Sequence, residues 1–246
     1  MKKLLGIFAH PDDESIASGG TIAKYAKAGW QVDLVTATRG ESGGSGEVRA
    51  KELAEAAEHL GIRSVTFLDY KDGQLAGKVA GEIEDTIVRL LEDMKPDVIL
   101  THEPAGITHH PDHIKLSLAA TFAFQKYAWT RHEANPDDDN PPKLYYACFP
   151  ETIISYVVKH KYFPAELFGK PCMGVDDKRV TTVINIKKFS AAKQKALESH
   201  ATQRSLLSKY LDIPRNPFMN QEYFILRMVG LVEVFMGKND RISDRL

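Results

Sequence analysis

The sequence has 246 residues, 43% of them hydrophobic, which is enough to bury the core of one α/β domain. Its 32 basic and 33 acidic residues give a formal net charge of -1, so composition provides no general attraction to nucleic acid or to an anionic membrane. Two cysteines, Cys148 and Cys172, are too few for a disulfide framework and fit a reducing compartment. No stretch approaches the roughly 20 apolar residues of a membrane span, and the apolar run after Lys3 is too short for a signal peptide. We therefore expect a soluble, cytoplasmic protein whose partner is a small molecule.

Short apolar runs alternate with segments of helical period along the chain. The predicted strands cover residues 4–8, 31–38, 65–68, 97–101, 144–149 and 180–186, and the predicted helices cover 11–28, 47–60, 79–94, 111–129 and 187–208. Pro11 suits the first position of a helix, and Asp12 and Asp13 follow in its first turn, where negative charge is favoured. Residues 152–163 receive no assignment, and 222–235 form a last apolar element. The alternation predicts a mostly parallel sheet flanked by helices.

A His-Pro-Asp sequence occurs twice, at residues 10–12 and 110–112, each time between a predicted strand and a predicted helix. In an open parallel sheet, the loops at the carboxyl ends of the strands share one edge, where ligands bind. The side chains that the first and fourth strands would bring together are His10, Asp13, His110 and His113. The alternative is that each copy only starts a helix. Two copies at corresponding strand ends favour a shared site.

These residue types are typical of a metal site. His10, Asp13 and His113 match the three protein ligands of a catalytic zinc ion, which leaves one position for water. Zinc lowers the pKa of its water to about 7 and polarises a carbonyl group. His102 and His109, in the same loop as the second motif, could replace or support these ligands. Zinc is inferred from ligand type alone, and Fe2+ or Mn2+ also suits two histidines and one carboxylate.

Three residues of the repeated motifs are left without a ligand role. Asp12 could act as a general base that takes a proton from water and returns it to a leaving amine. His110, if protonated, could stabilise a tetrahedral oxyanion. Asp112 could orient His110 and raise its basicity. The residues therefore permit metal-assisted hydrolysis of an amide.

The two motifs together resemble the LmbE-like or PIG-L-type zinc-dependent N-acetylglucosaminyl deacetylases. The resemblance rests on Ala-His-Pro-Asp-Asp-Glu at residues 9–14 and His-Pro-Asp-His at 110–113, with weaker agreement at Arg49, Asp72 and residues 195–203. It implies a Rossmann-like sheet with a smaller carboxyl-terminal extension. It also implies removal of the acetyl group from an N-acetylglucosamine-containing small molecule, giving free amine and acetate.

Carried over position by position, the resemblance assigns a role to each matching residue. The implied metal ligands are His10, Asp13 and His113, the implied general base is Asp12, and the implied acid or electrostatic stabiliser is His110, hydrogen-bonded to Asp112. Arg49 is implied to reach an anionic or polyol aglycone, and Asp72 a sugar hydroxyl. A solvated helix arginine and a turn aspartate are the respective alternatives.

One position departs from the family pattern. Some members carry a tyrosine two residues before the first histidine of the second motif, and here that residue is Thr108. Oxyanion stabilisation would then depend more on the metal and His110, or on a residue from the carboxyl-terminal third. His200 lies in the late motif, where a packed helix histidine is the favoured interpretation.

The sequence is compatible with three functions. The leading prediction is a zinc-dependent deacetylase with a single domain at residues 1–246, in which 1–130 form the Rossmann-like core and 131–246 supply completing strands, helices and substrate-pocket or oligomer elements. A thiol-conjugate amidase would use the same metal site to cleave a larger acyl group. A non-catalytic sugar- or nucleotide-binding module would need no catalytic metal, although the Gly-rich residues 39–46 lack the G-x-G-x-x-G spacing and lysine of nucleotide loops. The aglycone and the oligomeric state stay open, and an apolar carboxyl-terminal element could support a homo-oligomer.

Overall fold

The computed structural model describes residues 1–234 and 242–246, which contain one main sheet covered by helices. The strands are β1 (Lys3–Phe8), β2 (Gln31–Thr38), β3 (Ser64–Tyr70), β4 (Val98–His102), β5 (Lys143–Cys148), β6 (Glu166–Leu167), β7 (Lys170–Pro171), β8 (Thr182–Asn185), β9 (Gln221–Val229) and β10 (Val232–Glu233). The α-helices are α1 (Asp13–Lys27), α2 (Gly46–Leu60), α3 (Glu82–Met94), α4 (Gly106–His109), α5 (Pro111–Ala134), α6 (Glu151–Lys159), α7 (Ser190–Ser199) and α8 (Arg204–Leu211).

The sheet has the strand order β10-β9-β5-β4-β1-β2-β3, and β8 also pairs with β9. Strands β1 to β5 pair with one another in parallel, whereas β9 is antiparallel to β5. Leu4 of β1 pairs with Val98 of β4, and Gly6 pairs with Leu100. The chain order reverses between these two strands, and such a switch point opens a crevice at the carboxyl ends of the strands. The predicted Rossmann-like, mostly parallel sheet is confirmed.

Successive residues of β1 face opposite helical layers. Leu5 and Ile7 belong to a core with α3 and α5, whereas Leu4 and Phe8 belong to a core with α1, α2 and α7. Helices cover both faces of a parallel sheet, so its central strands are apolar without alternation. The smaller carboxyl-terminal extension has its own cluster, in which α6 and α8 pack around Phe218.

Helix α5 carries the second His-Pro-Asp motif at its amino end. Pro111 is its first residue, as expected, and His110 caps it, because the Asp112 N–H donates to His110 Nδ1 at 3.1 Å. The helix continues to Ala134, past the predicted end at Trp129. No helix within residues 1–234 and 242–246 has the length and apolarity that crossing a bilayer demands.

Two predicted helices differ from the helices in the structure. The first begins at Asp13 rather than Pro11, because Asp12 has a φ of 110°, which lies outside helical geometry. The prediction of one helix over 187–208 is wrong, because the chain leaves helical geometry at His200 (φ -78°, ψ 62°) and forms α7 and α8 on either side.

The other differences concern the ends of elements. Strand β4 includes His102, which was predicted to lie in the following loop. The unassigned segment 152–163 contains most of α6. The last apolar element, predicted at 222–235, contains β9 and β10, and its final residue Phe235 lies outside the described residues.

A buried ion pair joins α1, α7 and β9 behind the switch point. Lys193 Nζ donates to Glu222 Oε1 at 2.7 Å and to the Ile16 carbonyl at 2.9 Å. The Glu222 carboxylate also accepts the N–H groups of Gly20 and Thr21 at 2.9 and 2.7 Å. Burial lowers the pKa of Lys193, and the Glu222 carboxylate opposes that shift. The pair therefore fixes α1, whose first turn carries Asp13, against two carboxyl-terminal elements.

We expect Lys193→Met to lower the free energy of unfolding by about 3–5 kcal/mol, because the Glu222 charge would be left buried without its cation. Urea denaturation measures this change. Lys195→Met is the matched control, since Lys195 is exposed on the same helix and its loss should cost at most about 0.5 kcal/mol. Equal costs for the two variants would contradict this role of the ion pair.

Candidate metal centre

Three predicted ligand side chains meet at the carboxyl ends of β1 and β4. His10 Nδ1 and His113 Nε2 lie 3.1 Å apart, although the two residues are 103 positions apart in sequence. Asp13 completes the group, with Oδ1 3.3 Å from His113 Nε2 and Oδ2 3.6 Å from His10 Nδ1. Ligand atoms of a tetrahedral zinc site lie roughly 3.3 Å apart, because Zn–N and Zn–O bonds are about 2.0–2.2 Å. The spacing fits one divalent ion.

The two ring nitrogens of His10 have different surroundings. Nδ1 faces His113 and Asp13, whereas Nε2 lies 3.0 Å from Asp72 Oδ1 and 3.4 Å from Asp112 Oδ2. Burial alone would lower the pKa of His10, but hydrogen bonds with Asp112, Asp13 and Asp72 raise it to about 12. The ring is therefore protonated at both nitrogens, and a metal ion would have to displace the Nδ1 proton. A histidine that gives its second N–H to a carboxylate is typical of metal ligands, because the carboxylate fixes the tautomer and strengthens the ligand.

His113 is oriented by the backbone of the preceding loop. Its Nδ1 lies 3.0 Å from the Gly106 carbonyl, so Nδ1 carries the proton and the Nε2 lone pair faces Asp13 and His10. Gly106 has a φ of 73°, and a Cβ there would lie 2.9 Å from His113 Cβ, so glycine is required. Burial, together with the neighbouring histidines, lowers the pKa of His113 well below its usual value. The imidazole is therefore neutral, as metal binding requires.

Asp13 is held by the backbone and by the histidines around it. Its Oδ2 accepts a hydrogen bond from the backbone N–H of His10 at 2.8 Å. Burial would raise the pKa of Asp13, but His113 and His102 outweigh it and keep this pKa well below its usual range. Asp13 is therefore ionised and can supply the negative charge that a divalent cation needs.

The donor set fits a metal ion, but more than one grouping is close enough. Besides His10, Asp13 and His113, the groups of described residues whose ligand atoms lie close enough for an ion are His10 with His110 and His113, Asp13 with His102 and His113, and His10 with Asp72 and Asp112. All of them overlap on the side chains of the two motifs. The described chain therefore has one candidate centre, with a surplus of nitrogen and carboxylate ligands.

His102 has a larger part in this centre than the sequence analysis gave it. It is fully buried at the end of β4, and its Nε2 lies 3.3 Å from Asp13 Oδ2. Its ring stacks on His113, with centroids 4.0 Å apart and planes within 7°. Its position next to the His-rich loop was the only sequence indication. His109, the other alternative, points away and places its Nε2 3.1 Å from the Pro171 carbonyl.

Asp12 occupies a strained backbone position beside the ligands. Its φ of 110° is rare for a residue with a side chain and costs about 1–3 kcal/mol. Burial and the neighbouring Asp13 carboxylate raise the pKa of Asp12 to about 7, and Arg49 opposes this rise. A carboxyl group with a pKa near neutrality can accept and return a proton.

Arg49 is buried and hydrogen-bonded to the first motif and to the Gly-rich loop. It is only 4% exposed, which also excludes the solvated alternative. Its Nη2 donates to the Pro11 carbonyl and to Asp12 Oδ2 at 3.1 Å, and its Nη1 donates to the Gly40 carbonyl at 2.7 Å. These acceptors direct the guanidinium toward Asp12. The expected contact with an aglycone stays a prediction, and the observed hydrogen bonds indicate that Arg49 also holds Asp12.

His110 and Asp112 are neighbours, but not in the expected way. The bond between them uses the Asp112 backbone N–H, whereas the Asp112 carboxylate accepts the N–H groups of Gly73 and Leu75 at 2.7 and 3.0 Å. The expectation that this carboxylate is hydrogen-bonded to His110 is therefore corrected, since it instead faces His10. Because His110 Nδ1 is an acceptor, Nε2 carries the proton of the neutral ring. Burial and the nearby His10 lower the pKa of His110, so it is a neutral donor rather than a cation.

Asp72 contacts the centre through the outer nitrogen of His10. Its Oδ1 faces His10 Nε2, and its Oδ2 accepts the Ser42 N–H at 3.0 Å. Burial opposes ionisation, but the contact with His10 lowers the pKa of Asp72 to about 2. The Gly-rich loop at 39–46 is thus tied to the centre through an ionised carboxylate.

A short hairpin made of β6 and β7 overhangs His110. Phe168, at its turn, is 57% exposed and has a φ of 51°. Its ring makes an edge contact with His110, at a centroid distance of 4.7 Å. No motif in the sequence predicted this contact, which depends on a segment of two-residue strands.

His200 and Glu14 form a second, fully buried contact behind Asp12, at 3.1 Å. His200 does not join the ligand cluster. The sequence analysis favoured a packed helix histidine. His200 is buried as that interpretation requires, but it lies at the break between α7 and α8, which directs its side chain toward Glu14 of the first motif.

Comparison with known proteins places this centre in a family. Residues 5–124 match the PIG-L family, described as GlcNAc-PI de-N-acetylase. A 1D-myo-inositol 2-acetamido-2-deoxy-alpha-D-glucopyranoside deacetylase of Rhodococcus jostii is 30% identical over 270 residues, which cover 92% of this chain and 91% of that protein.

Two solved structures share the fold. N,N'-diacetylchitobiose deacetylase from Pyrococcus horikoshii aligns with a TM-score of 0.66 and 21% identity, over 94% of this chain and 85% of that one. The 4-carboxy-2-hydroxymuconate hydratase from Pseudomonas putida also aligns with a TM-score of 0.66, with 20% identity over 96% of this chain and 100% of that one. These likenesses show the fold alone. The family match and the sequence relative, in contrast, show that the chain belongs to the PIG-L, or LmbE-like, family.

Proposed function

We propose that the protein is a metal-dependent hydrolase that removes the acetyl group from an N-acetylglucosamine-containing small molecule, giving free amine and acetate. The observation that carries this proposal is the convergence of His10, Asp13 and His113 beside the buried carboxyl group of Asp12. The name of the Rhodococcus jostii relative supports the substrate class. Because the fold is also that of a hydratase, the reaction has to be argued from the site rather than from the fold.

The three ligands would hold one divalent cation, which supplies a Lewis acid for the acetamide carbonyl and lowers the pKa of water. Asp12 takes the proton of the attacking water and returns it to the leaving amine. Arg49 holds the Asp12 carboxylate during this cycle through its 3.1 Å bond. His110 Nε2–H donates to the oxygen on which negative charge develops, where the tyrosine of some family members is replaced by Thr108.

The substrate side of the site rests on fewer residues. Asp72 is the candidate partner of a sugar hydroxyl, because its ionised carboxylate lies beside the candidate ligand His10 and at the end of the Gly-rich loop. Zinc is the proposed ion, because two imidazoles and one carboxylate suit it, although Fe2+ and Mn2+ accept the same ligands. We assign the activity to the whole chain as one domain, since β9 from the carboxyl-terminal part pairs directly with β5 of the central sheet.

The reaction is tested by acetate release from a panel of N-acetylglucosamine conjugates. We expect turnover of at least one conjugate, its loss on chelation and its return on addition of Zn2+, Fe2+ or Mn2+. Elemental analysis of the purified protein identifies the ion. Turnover of S-conjugates with larger acyl groups but not of N-acetyl sugars would instead support the thiol-conjugate amidase, and activity that survives complete metal removal would overturn the proposal.

Asp12→Asn keeps the size of the side chain but removes the base, so we expect kcat to fall about 10²- to 10⁴-fold, the usual contribution of general base catalysis. Metal content should be unchanged, because Asp12 is not a proposed ligand. Asp93→Asn, an exposed change on α3, is the control and should leave kcat unaltered. Undiminished turnover by Asp12→Asn would show that Asp12 is not the base.

Zn2+ titration calorimetry of the metal-free protein can separate the overlapping ligand groups. His113→Gln should weaken Zn2+ binding more than about 100-fold, whereas His102→Gln, which removes only a support of Asp13, should weaken it roughly 10-fold. The exposed His132→Gln is the matched control, with no expected effect. Equal losses for His102→Gln and His113→Gln would place His102 among the ligands.

A further inference from the structure

Glu14 lies directly behind Asp12 and is bonded to its backbone. Its Oε2 accepts the Asp12 N–H at 3.0 Å, which is a contact between residues two positions apart. Its Oε1 accepts the Ser15 hydroxyl at 2.5 Å. Glu14 is 1% exposed, so this carboxylate faces the protein interior rather than the opening of the metal centre.

His200 closes the same contact from a distant part of the chain. Its Nε2 lies 3.1 Å from Glu14 Oε1, although the residues are 186 positions apart. His200 is fully buried, and a buried carboxylate needs donors, so Nε2 carries the proton in this pair. The chain supplies this donor by leaving helical geometry between α7 and α8.

Asp12 needs such support because its backbone is strained. A residue with a φ of 110° returns to a relaxed conformation unless its neighbours hold it, and the Asp12 N–H is held by Glu14. On the other side, Arg49 holds the Asp12 carboxylate and the Pro11 carbonyl. The backbone and the side chain of Asp12 are thus fixed by two separate contacts.

We infer that His200 is a positioning residue that acts through Glu14, holding the backbone of Asp12 in the strained conformation that aims its carboxylate at the reacting groups. The catalytic part of this inference rests on the proposed deacetylase function. The conformational part stands on the contacts alone. Neither Glu14 nor His200 is placed to touch the metal or the substrate.

Three changes at position 200 test the inference. His200→Leu removes the donor, and kcat should fall about 10- to 100-fold, as expected when a catalytic group is displaced by about 1 Å. KM and metal content should change by no more than about twofold, since no ligand is lost. His200→Gln places an amide N–H at the same distance along the side chain and should restore most of kcat. If His200→Leu does not fold, His200→Asn, which is polar but too short to reach Glu14, replaces it with the same expectation.

A neighbouring substitution controls for general damage to this helix end. The Ser199 hydroxyl donates only to the Lys195 carbonyl at 3.1 Å, so Ser199→Ala should leave kcat unchanged. Combination with Asp12→Ala gives the sharper comparison. With no carboxylate left to position, His200→Leu should reduce the residual rate by less than about twofold. An equal loss in both backgrounds, or no rescue by His200→Gln, would show that His200 serves only general stability and would overturn the inference.

A crystal structure of His200→Leu gives a readout that does not depend on turnover. We expect the φ of Asp12 to leave the positive region and its carboxylate to move away from the ligand cluster. An unchanged Asp12 would overturn the inference even in an active enzyme. If the wild-type protein releases no acetate from any conjugate, the proposed function fails, while this structure still decides whether His200 holds Asp12.

Discussion

The site depends on the parallel pairing of β1 with β4. These strands are neighbours in the sheet but far apart in the chain, and their shared register places His10 and Asp13 opposite the first turn of α5, which carries His113. The ligand atoms come within about 3.6 Å of each other only because both strands end at the same edge. The other contacts of the centre orient the ligand side chains that this pairing brings together.

The surrounding contacts orient the candidate ligands and separate their roles. Carboxylates at the outer nitrogen of His10 and a backbone carbonyl at the outer nitrogen of His113 leave the inner nitrogens facing each other. The pKa of Asp12 is raised instead, because its carboxyl group is buried next to the charged Asp13 and Arg49 only partly offsets this effect. Two adjacent aspartates thus have opposite pKa shifts, one suited to a ligand and the other to a base.

Much of this arrangement could be predicted from residue types and spacing. Apolar strands that end in His-Pro-Asp indicated both the switch point and the cluster, because parallel sheets align the ends of their strands. The backbone conformation of Asp12 could not be predicted, since a helix start at Pro11 satisfies every local preference. The hydrogen-bond partners of Arg49 and Asp112 could not be predicted either, because each side chain selects among several acceptors or donors that only the folded chain brings near. The contact of His200 with Glu14 could not be predicted either, because the helical pattern of the sequence does not reveal that the helix stops at His200.

The β6–β7 hairpin lies against the centre without belonging to it. It contacts the centre through the edge of Phe168 on His110, its Pro171 carbonyl lies beside His109 outside the ligand cluster, and it supplies none of the candidate ion ligands. The ligands sit on strand ends and a long helix, whereas the hairpin is a ladder of two short strands on a connecting segment. Substitutions in this overhang can therefore change what lies against His110 while the candidate ligands keep their positions, so the two parts of the site are free to vary independently.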